Sequence, residues 1–204
     1  SDVCSSDLVA ASRRGKYLWL PIAGASAAAA DEALVAHLGM SGQLLVVDAE
    51  SPSERHLRVR VSFADNGLEL RFVDQRTFGG LALTDLDADG IPTTIAHIAP
   101  DLLEPAFDRA AVVRRVKAKD SAIKRVLLDQ TVASGIGNIY ADEALWRARL
   151  HPLRSAASIG PAAERALHRA IREVLAEGVE RRGSSVDDYT APEGDGEMQD
   201  RKST

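Results

Sequence analysis

"SAIKRVLLDQTVASGIGNIYADEALWRARL", residues 121–150, decides how this chain is read, because it breaks one helix from the next with two glycines and an asparagine. "SAIKRVLLDQ" gives a short helix, "TVASGIG" a two-turn connection, and "NIYADEALWRARL" a second helix that Asn138 is placed to cap through its side chain. A helix start offers unpaired backbone N–H groups and the positive end of a dipole, so a Gly-rich approach to one is a natural anion cradle. The anion could be a nucleotide, a substrate carboxylate or a nucleic-acid phosphate. A dinucleotide or P-loop cradle needs a strand before its glycines, and the P-loop also needs a Gly-Lys-Ser/Thr run. Here a helix precedes "SGIGN" and no such run follows, so both readings fail on context.

Charge narrows the choice further. The net charge is −5, but residues 109–125, "RAAVVRRVKAKDSAIKR", hold seven basic side chains against one acid, Asp120, while residues 187–200 hold six acids and no base. Local field governs the steering of a polyanion, so the basic block beside the helix start is informative where the total is not. By itself such a block reads equally well as a solvated helix face. Lys117, Lys119, Lys124 and Arg125 flank two helices and two tight turns, an arrangement that suits the backbone of a DNA strand.

At 204 residues the chain is long enough for a proper core, in one domain or two small ones. Its 45% hydrophobic and 27% charged residues are ordinary for a soluble protein, and no apolar run approaches the roughly 18 residues of a membrane span. Cys4 is the only cysteine, which excludes an internal disulfide and any Cys-rich zinc cluster, and the histidines at 37, 56, 97, 151 and 168 show no HExxH spacing.

The first half reads as β structure. Leu57, Val59, Val61 and Phe63 alternate with Arg58, Arg60 and Ser62, and Asp65-Asn66-Gly67 supplies a hairpin turn into Leu68, Leu70 and Phe72. "RRGKYLWLPI" and "LVAHLGMSGQLLVVD" are further strand candidates around a small-residue loop at 23–31, and a sandwich or barrel of antiparallel strands follows. The prolines of "GIPTTIAHIAPDLLEPAFD" mark a linker, after which the pattern turns helical. A third helix runs from Pro161 through Leu167, Ile171, Val174 and Leu175 to a stop at Gly183. The stretch from 184 is polar and acidic and reads as a loop or tail.

Four motifs in order, "RRGKYLWL", "HLGMSGQL", "RFVDQRTFGG" and residues 121–152, resemble the formamidopyrimidine-DNA glycosylase and endonuclease VIII family of bacterial base-excision repair enzymes, and its formamidopyrimidine branch more closely. The resemblance implies an α+β chain. An antiparallel β-sandwich domain occupies 13–96 without its first strand and helix, and a helix-two-turns-helix DNA-binding domain occupies 97–183. Residues 184–204 begin a loop that covers the extruded base, and residues 1–12 match nothing in the family. The implied activity is that of a bifunctional DNA glycosylase and abasic-site lyase. It acts on oxidised purines in double-stranded DNA, as a cytoplasmic monomer with no membrane partner.

Residue roles carry over from the same resemblance. Lys16 matches a lysine near the target sugar that donates a proton in β-elimination and holds a phosphate. His56, Arg76 and Lys119 match DNA-contacting positions, Asn138 a phosphate-binding asparagine, and His37 lies beside the DNA-facing loop, with Lys124 on the basic flank. A lone histidine serves equally as a packed structural residue, which leaves both readings open for His37 and His56. Met40, Arg76 and Phe78 match three residues that fill the void left when the damaged nucleotide leaves the duplex. A base inside the stack cannot be reached, so the enzyme extrudes it and wedges apolar and cationic side chains into the gap.

Two departures bear on activity. The family's nucleophile is an N-terminal proline followed by a glutamate, whereas this chain begins "SDVCSSDLVAA". The family also closes with a four-cysteine zinc finger, and a chain with one cysteine cannot bind zinc in that way, so no cofactor is expected here. The expectation is a chain that keeps the DNA-docking surface and lacks its chemistry. A non-catalytic module that binds bent or damaged DNA is the alternative. An RNA-binding protein is a more distant one, since it would not share the strand motifs.

Overall fold

The computed structural model describes residues 6–8, 10–24, 30–64, 67–105, 107–180, 184–185 and 198–199. The chain divides into two compact units, Ser1–Ala96 and His97–Thr204.

The first unit is built from two antiparallel sheets. One contains β1 (Ser6–Leu8), β2 (Ser12–Arg14), β3 (Tyr17–Gly24), β4 (Glu32–His37) and β8 (Gly80–Asp85), with β3 at its hub: β1 and β2 pair along successive parts of one side of it and β4 along the other. The other sheet sets β7 (Leu68–Asp74) between β5 (Gly42–Asp48) and β6 (Leu57–Ser62). "LVAHLGMSGQLLVVD" therefore does not form one strand. It breaks at Leu38–Ser41 into β4 and β5, which belong to different sheets, because Gly39 adopts a left-handed φ of 63° that ends the extended run. The chain returns between the sheets over residues 75–79, so the two crossings, 38–41 and 75–79, lie together at one end of the unit. Registers fix that end: Tyr17 pairs with His37 and His37 with Gly80 in one sheet, and Gly42 pairs with Asp74 in the other.

The expected pairing of β6 with β7 is present, although the turn at Asp65 and Asn66 lies outside the described residues. The alternation in β6 does not produce a buried face. Val59 is exposed, and Leu57 and Val61 are only half-buried, because β6 is an edge strand with a bulge between Leu57 and Val59. Buried apolar side chains come from the central strands instead: Trp19 on β3, Ala33, Val35 and Ala36 on β4, and Leu70 and Phe72 on β7. On the opposite face of β7, Arg71 is fully buried and bonds the Glu69 carboxylate, the Glu54 carboxylate and the carbonyls of Ser51 and Pro52. That network fastens the 49–56 loop, which ends at His56, over a polar sheet face.

The second unit is helical: α1 (Arg109–Lys117), α2 (Ile123–Leu127), α3 (Asn138–Arg147) and α4 (Pro161–Glu180). A two-residue parallel pairing of Ser184–Ser185 with Met198–Gln199 follows; Gly183, the expected helix stop, and most of 184–204 lie outside the described residues. α4 buries Leu167, Ala170, Ile171, Val174 and Leu175 against Ile123, Val126 and Leu127 of α2 and Ala141, Ala144 and Leu145 of α3. Each fully buried Leu, Ile or Val side chain among these contributes roughly 1.5–3 kcal/mol. The stretch from Gly90 to Asp108, read as a linker, contributes Ile95, Ile98, Ala99 and Leu102 to buried positions, so its prolines shape packed irregular chain.

α1, the basic block, is capped by the Asp108 carboxylate, which accepts from the N–H groups of Ala110 and Ala111, and it buries no residue completely. α3 begins differently from expectation. Gly137, with no side chain to offer, is the N-cap, and Asn138 is the first helical residue. α3 and α4 are joined by Arg147, whose guanidinium bonds both carboxylate oxygens of Glu177 and one of Glu143. They approach closely where Gly178 faces the Tyr140 ring, leaving no room for a Cβ.

Candidate nucleic-acid interface

Six of the residues singled out in the sequence fall on the crossing end of the first unit. Lys16 is exposed in the β2–β3 turn, beside Gly15 at a φ of 57°. Tyr17 follows, and its ring lies 4.9 Å from that of its cross-strand neighbour His37. His37 is half-buried, and burial, together with the Lys16 cation, lowers its pKa, so it is neutral at pH 7. His56 reaches the same end from the other sheet, where its carbonyl accepts from the Asp74 N–H at 3.0 Å. The two crossings carry Met40, which is 65% exposed, and Phe78, which is 64% exposed, with half-buried Arg76 between Asp74 and Phe78 in sequence. Two large apolar side chains presented to solvent on adjacent loops are unusual for a surface with no partner.

The loops that carry them are held by a group the sequence reading missed. Asp74 is completely buried at the end of β7. One carboxylate oxygen accepts from the Ser41 hydroxyl at 2.6 Å and from the Arg76 N–H at 3.2 Å; the other accepts from the Gly79 N–H at 2.8 Å. Burial alone would raise its pKa, but the Ser41 hydroxyl and the N–H groups of Gly79, Arg76 and Thr77 outweigh burial and hold it below the usual aspartate value. Thr77 takes a left-handed φ of 54°, a costly conformation for a β-branched residue. Close approach completes the arrangement, since a Cβ on Gly39 would come within 2.7 Å of the backbone of Phe78 and Gly79. Arg58, read as an outward strand residue, donates to the carbonyl of Asp74 at 2.8 Å and supports the same turn. The only sequence signal for Asp74, Ser41 and Thr77 was their position inside "GMSG" and "VDQRTFGG", and Arg58 had none.

In the second unit, the Gly-rich turn is organised from within. The Gln130 carboxamide donates to the carbonyls of Leu128 and Ile136 and accepts from the Gly135 N–H, the last at 3.0 Å. Gly135 has a φ of 87°, which a side chain would resist. This leaves Asn138 exposed on the first turn of α3, next to N–H groups that have no partner within the helix. Lys124 joins that turn through an ion pair of 2.7 Å with Asp142, one helical turn beyond Asn138. Lys119 is paired at 3.1 Å with Asp129, whose carboxyl is held below its usual pKa by the Thr131 hydroxyl and, more weakly, by Lys119. Both lysines thus hold an acid at the position where the sequence reading puts a phosphate.

Among the described residues, no three His, Cys, Asp or Glu side chains converge as metal ligands, and no helix is long and apolar enough to cross a membrane.

A two-sheet unit ending in paired, apolar-tipped loops, followed by a helix-two-turns-helix unit with a basic flank, defines an α+β protein. The chain belongs to the formamidopyrimidine-DNA glycosylase family. Residues 2–81 match the formamidopyrimidine-DNA glycosylase N-terminal domain, and residues 98–190 match the H2TH domain of the same enzymes. The first match reaches back through most of the stretch that sequence reading left unmatched, where β1 pairs with β3. The formamidopyrimidine-DNA glycosylase of Streptomyces coelicolor is 55% identical over 177 residues, covering 86% of this chain and 60% of that protein. The Salinispora tropica enzyme is 56% identical over 176 residues, covering 86% and 58%. Among solved structures, the MutM (Fpg) protein from Thermus thermophilus aligns with a TM-score of 0.74 at 36% identity, over 93% of this chain and 67% of that one. MutM in complex with carbocyclic 8-oxo-G containing DNA aligns with a TM-score of 0.75 at 30% identity, over 89% and 65%. The chain spans about 60% of the length of the curated relatives it matches.

Proposed function

We propose that this chain forms the DNA-docking and void-filling part of a base-excision repair glycosylase that removes oxidised purines and cleaves at the resulting abasic site. The observation that carries the reading is the exposure of Met40 and Phe78 on two crossings pinned to each other beside Lys16 and His37. When a nucleotide leaves the duplex, the gap it vacates has apolar base faces above and below. Phe78 stacks there, the flexible Met40 side chain fills the remainder, and Arg76 offers donors to the orphaned partner base. In the helical unit, Asn138 and the first N–H groups of α3 receive a backbone phosphate, with Lys124 and Lys119 exchanging their carboxylate partners for phosphates; in the sheet unit, His56 makes a DNA contact of its own.

In the chemistry proposed for the whole protein, an amine attacks the anomeric carbon of the extruded nucleotide, the base departs with its electron pair and is protonated, and the ring-opened sugar becomes a Schiff base. Loss of a proton from the adjacent carbon then expels the 3′ phosphate by β-elimination. Lys16 holds a cation at this end of the unit, suited to proton donation and to retaining that phosphate.

The experiment is a binding and trapping measurement on one duplex, intact or carrying a single abasic site, with borohydride added to reduce any Schiff base. Tighter binding to the abasic duplex supports the reading, and equal affinity for the two duplexes rejects it. A covalent adduct confined to the abasic duplex identifies an amine of this chain as competent to attack. Preferential binding without an adduct assigns the attacking amine to residues outside these 204.

A further inference from the structure

We propose that Asp74, acting through Ser41, is the positioning residue that presents Met40 and Phe78 as one wedge. This rests on the void-filling reading above and assigns to it the part that fixes its shape. Each crossing alone is a short loop with an exposed apolar tip, and water would favour folding both tips back onto the sheet. The buried carboxylate prevents this because its two oxygens serve both loops: one takes the Ser41 hydroxyl of the first, and both take N–H groups of the second. Ser41 is the bridge, since its hydroxyl donates to Asp74 and accepts from the Arg76 N–H at 3.1 Å. In that network Asp74 acts as the acceptor for three backbone N–H groups and one hydroxyl. The left-handed Thr77 between Arg76 and Phe78 is held by the same carboxylate, which sets the direction in which Phe78 leaves the loop.

Substituting either residue should therefore loosen two loops from one position. Ser41→Ala removes only the bridge. Asp74→Asn replaces one acceptor oxygen with an NH2 group, so a donor faces the Ser41 and Arg76 side or the Gly79 N–H. The readouts are amide hydrogen exchange over residues 38–42 and 75–79 in the free chain, and the fluorescence of 2-aminopurine placed opposite an abasic site, which reports wedge insertion. Met40→Ala and Phe78→Ala serve as comparators.

The expected result is faster exchange in both crossings for Ser41→Ala. Its preference for the abasic duplex falls about fivefold, the worth of one hydrogen bond, and the 2-aminopurine signal falls with it. Binding to intact duplex stays unchanged, and Ser41→Thr, which keeps the hydroxyl, restores the signal. Asp74→Asn is expected to lose more. Unchanged exchange at 75–79 in Ser41→Ala overturns the positioning role, whatever the DNA shows. Loss of the signal in Met40→Ala and Phe78→Ala but not in Ser41→Ala or Asp74→Asn also overturns it, while leaving the wedge itself in place. A signal that survives Met40→Ala and Phe78→Ala rejects the wedge reading, and the positioning role falls with it.

Discussion

Individual side chains at the crossing end have separable jobs, and their exposure predicts which variants affect stability and which affect binding. Met40 and Phe78 bury little of their surface, so alanine at either leaves the unfolding midpoint of the chain nearly unchanged. The cost appears on DNA instead. Stacking on a base is worth roughly 1–3 kcal/mol, so Phe78→Ala should weaken binding to abasic duplex by about tenfold or more, with intact duplex little affected. Equal losses on both duplexes would contradict a wedge. Lys16 and His37 make a second pair with a testable electrostatic link. The folded-state pKa of His37 lies below the usual 6.5, first from burial and then from Lys16. Its contribution to stability is therefore full above 6.5 and is lost as pH falls from 6.5 through the lowered value, where the unfolded chain binds a proton that the folded chain does not. Lys16→Gln removes the smaller cause, so an NMR titration of the His37 ring should show its pKa rising yet staying below 6.5. No rise would mean that the two groups do not interact.

At the scale of elements, the Gly-rich turn depends on the Gln130 carboxamide, which needs both a donor end and an acceptor end. Gln130→Glu keeps the size and supplies only acceptors, so a carboxylate would face the carbonyls of Leu128 and Ile136. The variant should lose DNA affinity more than Asn138→Ala does, because the whole start of α3 is released rather than one amide; a titration showing normal affinity would sink the idea. The helical unit was largely legible in the sequence because its periodicity, glycines and Pro161 are local signals. α2 and α3 formed inside the stretches the pattern marked, each shorter than read, and α4 starts at Pro161 as expected. The cap of α3 was misread because both Gly137 and Asn138 suit a helix start, and only the backbone angles distinguish the N-cap from the first helical residue. The sheet unit was legible as a sandwich or barrel of antiparallel strands, but not in which strands belong to which sheet. The glycines of "GMSG" mark a loop inside "LVAHLGMSGQLLVVD", but that the chain crosses there from one sheet to the other is settled only by the distant partners of β4 and β5. The supports of the candidate site were illegible for the same reason: Asp74 and Ser41 are 33 residues apart, and nothing local marks a carboxylate as the acceptor for a distant loop.

For the whole molecule, the conflict to resolve is between a net charge of −5 and the polyanionic partner proposed for it. It is resolved by where the charges sit. In sequence, the acids of residues 187–200 lie apart from the basic block at 109–125, and within the helical unit Asp129 and Asp142 each occupy one lysine. In the proposed docking, such pairs keep the cations oriented yet partly neutralised, and non-specific affinity for DNA is expected to stay modest until phosphates displace the acids. Salt dependence measures that exchange. Each phosphate neutralised by a lysine steepens the fall of log K against log salt by about 0.9 on duplex DNA, so Lys119→Ala and Lys124→Ala should each flatten the slope by about that amount, across lesion-bearing and intact duplexes alike. Asp142→Asn makes the opposite test, because it frees Lys124 without removing it. That variant should bind both duplexes more tightly at low salt, gaining affinity without gaining preference, and the gain should shrink as ionic strength rises. A slope unchanged in Lys124→Ala, or an Asp142→Asn variant that gains preference for the abasic duplex, would show that this pair recognises something other than the phosphate backbone.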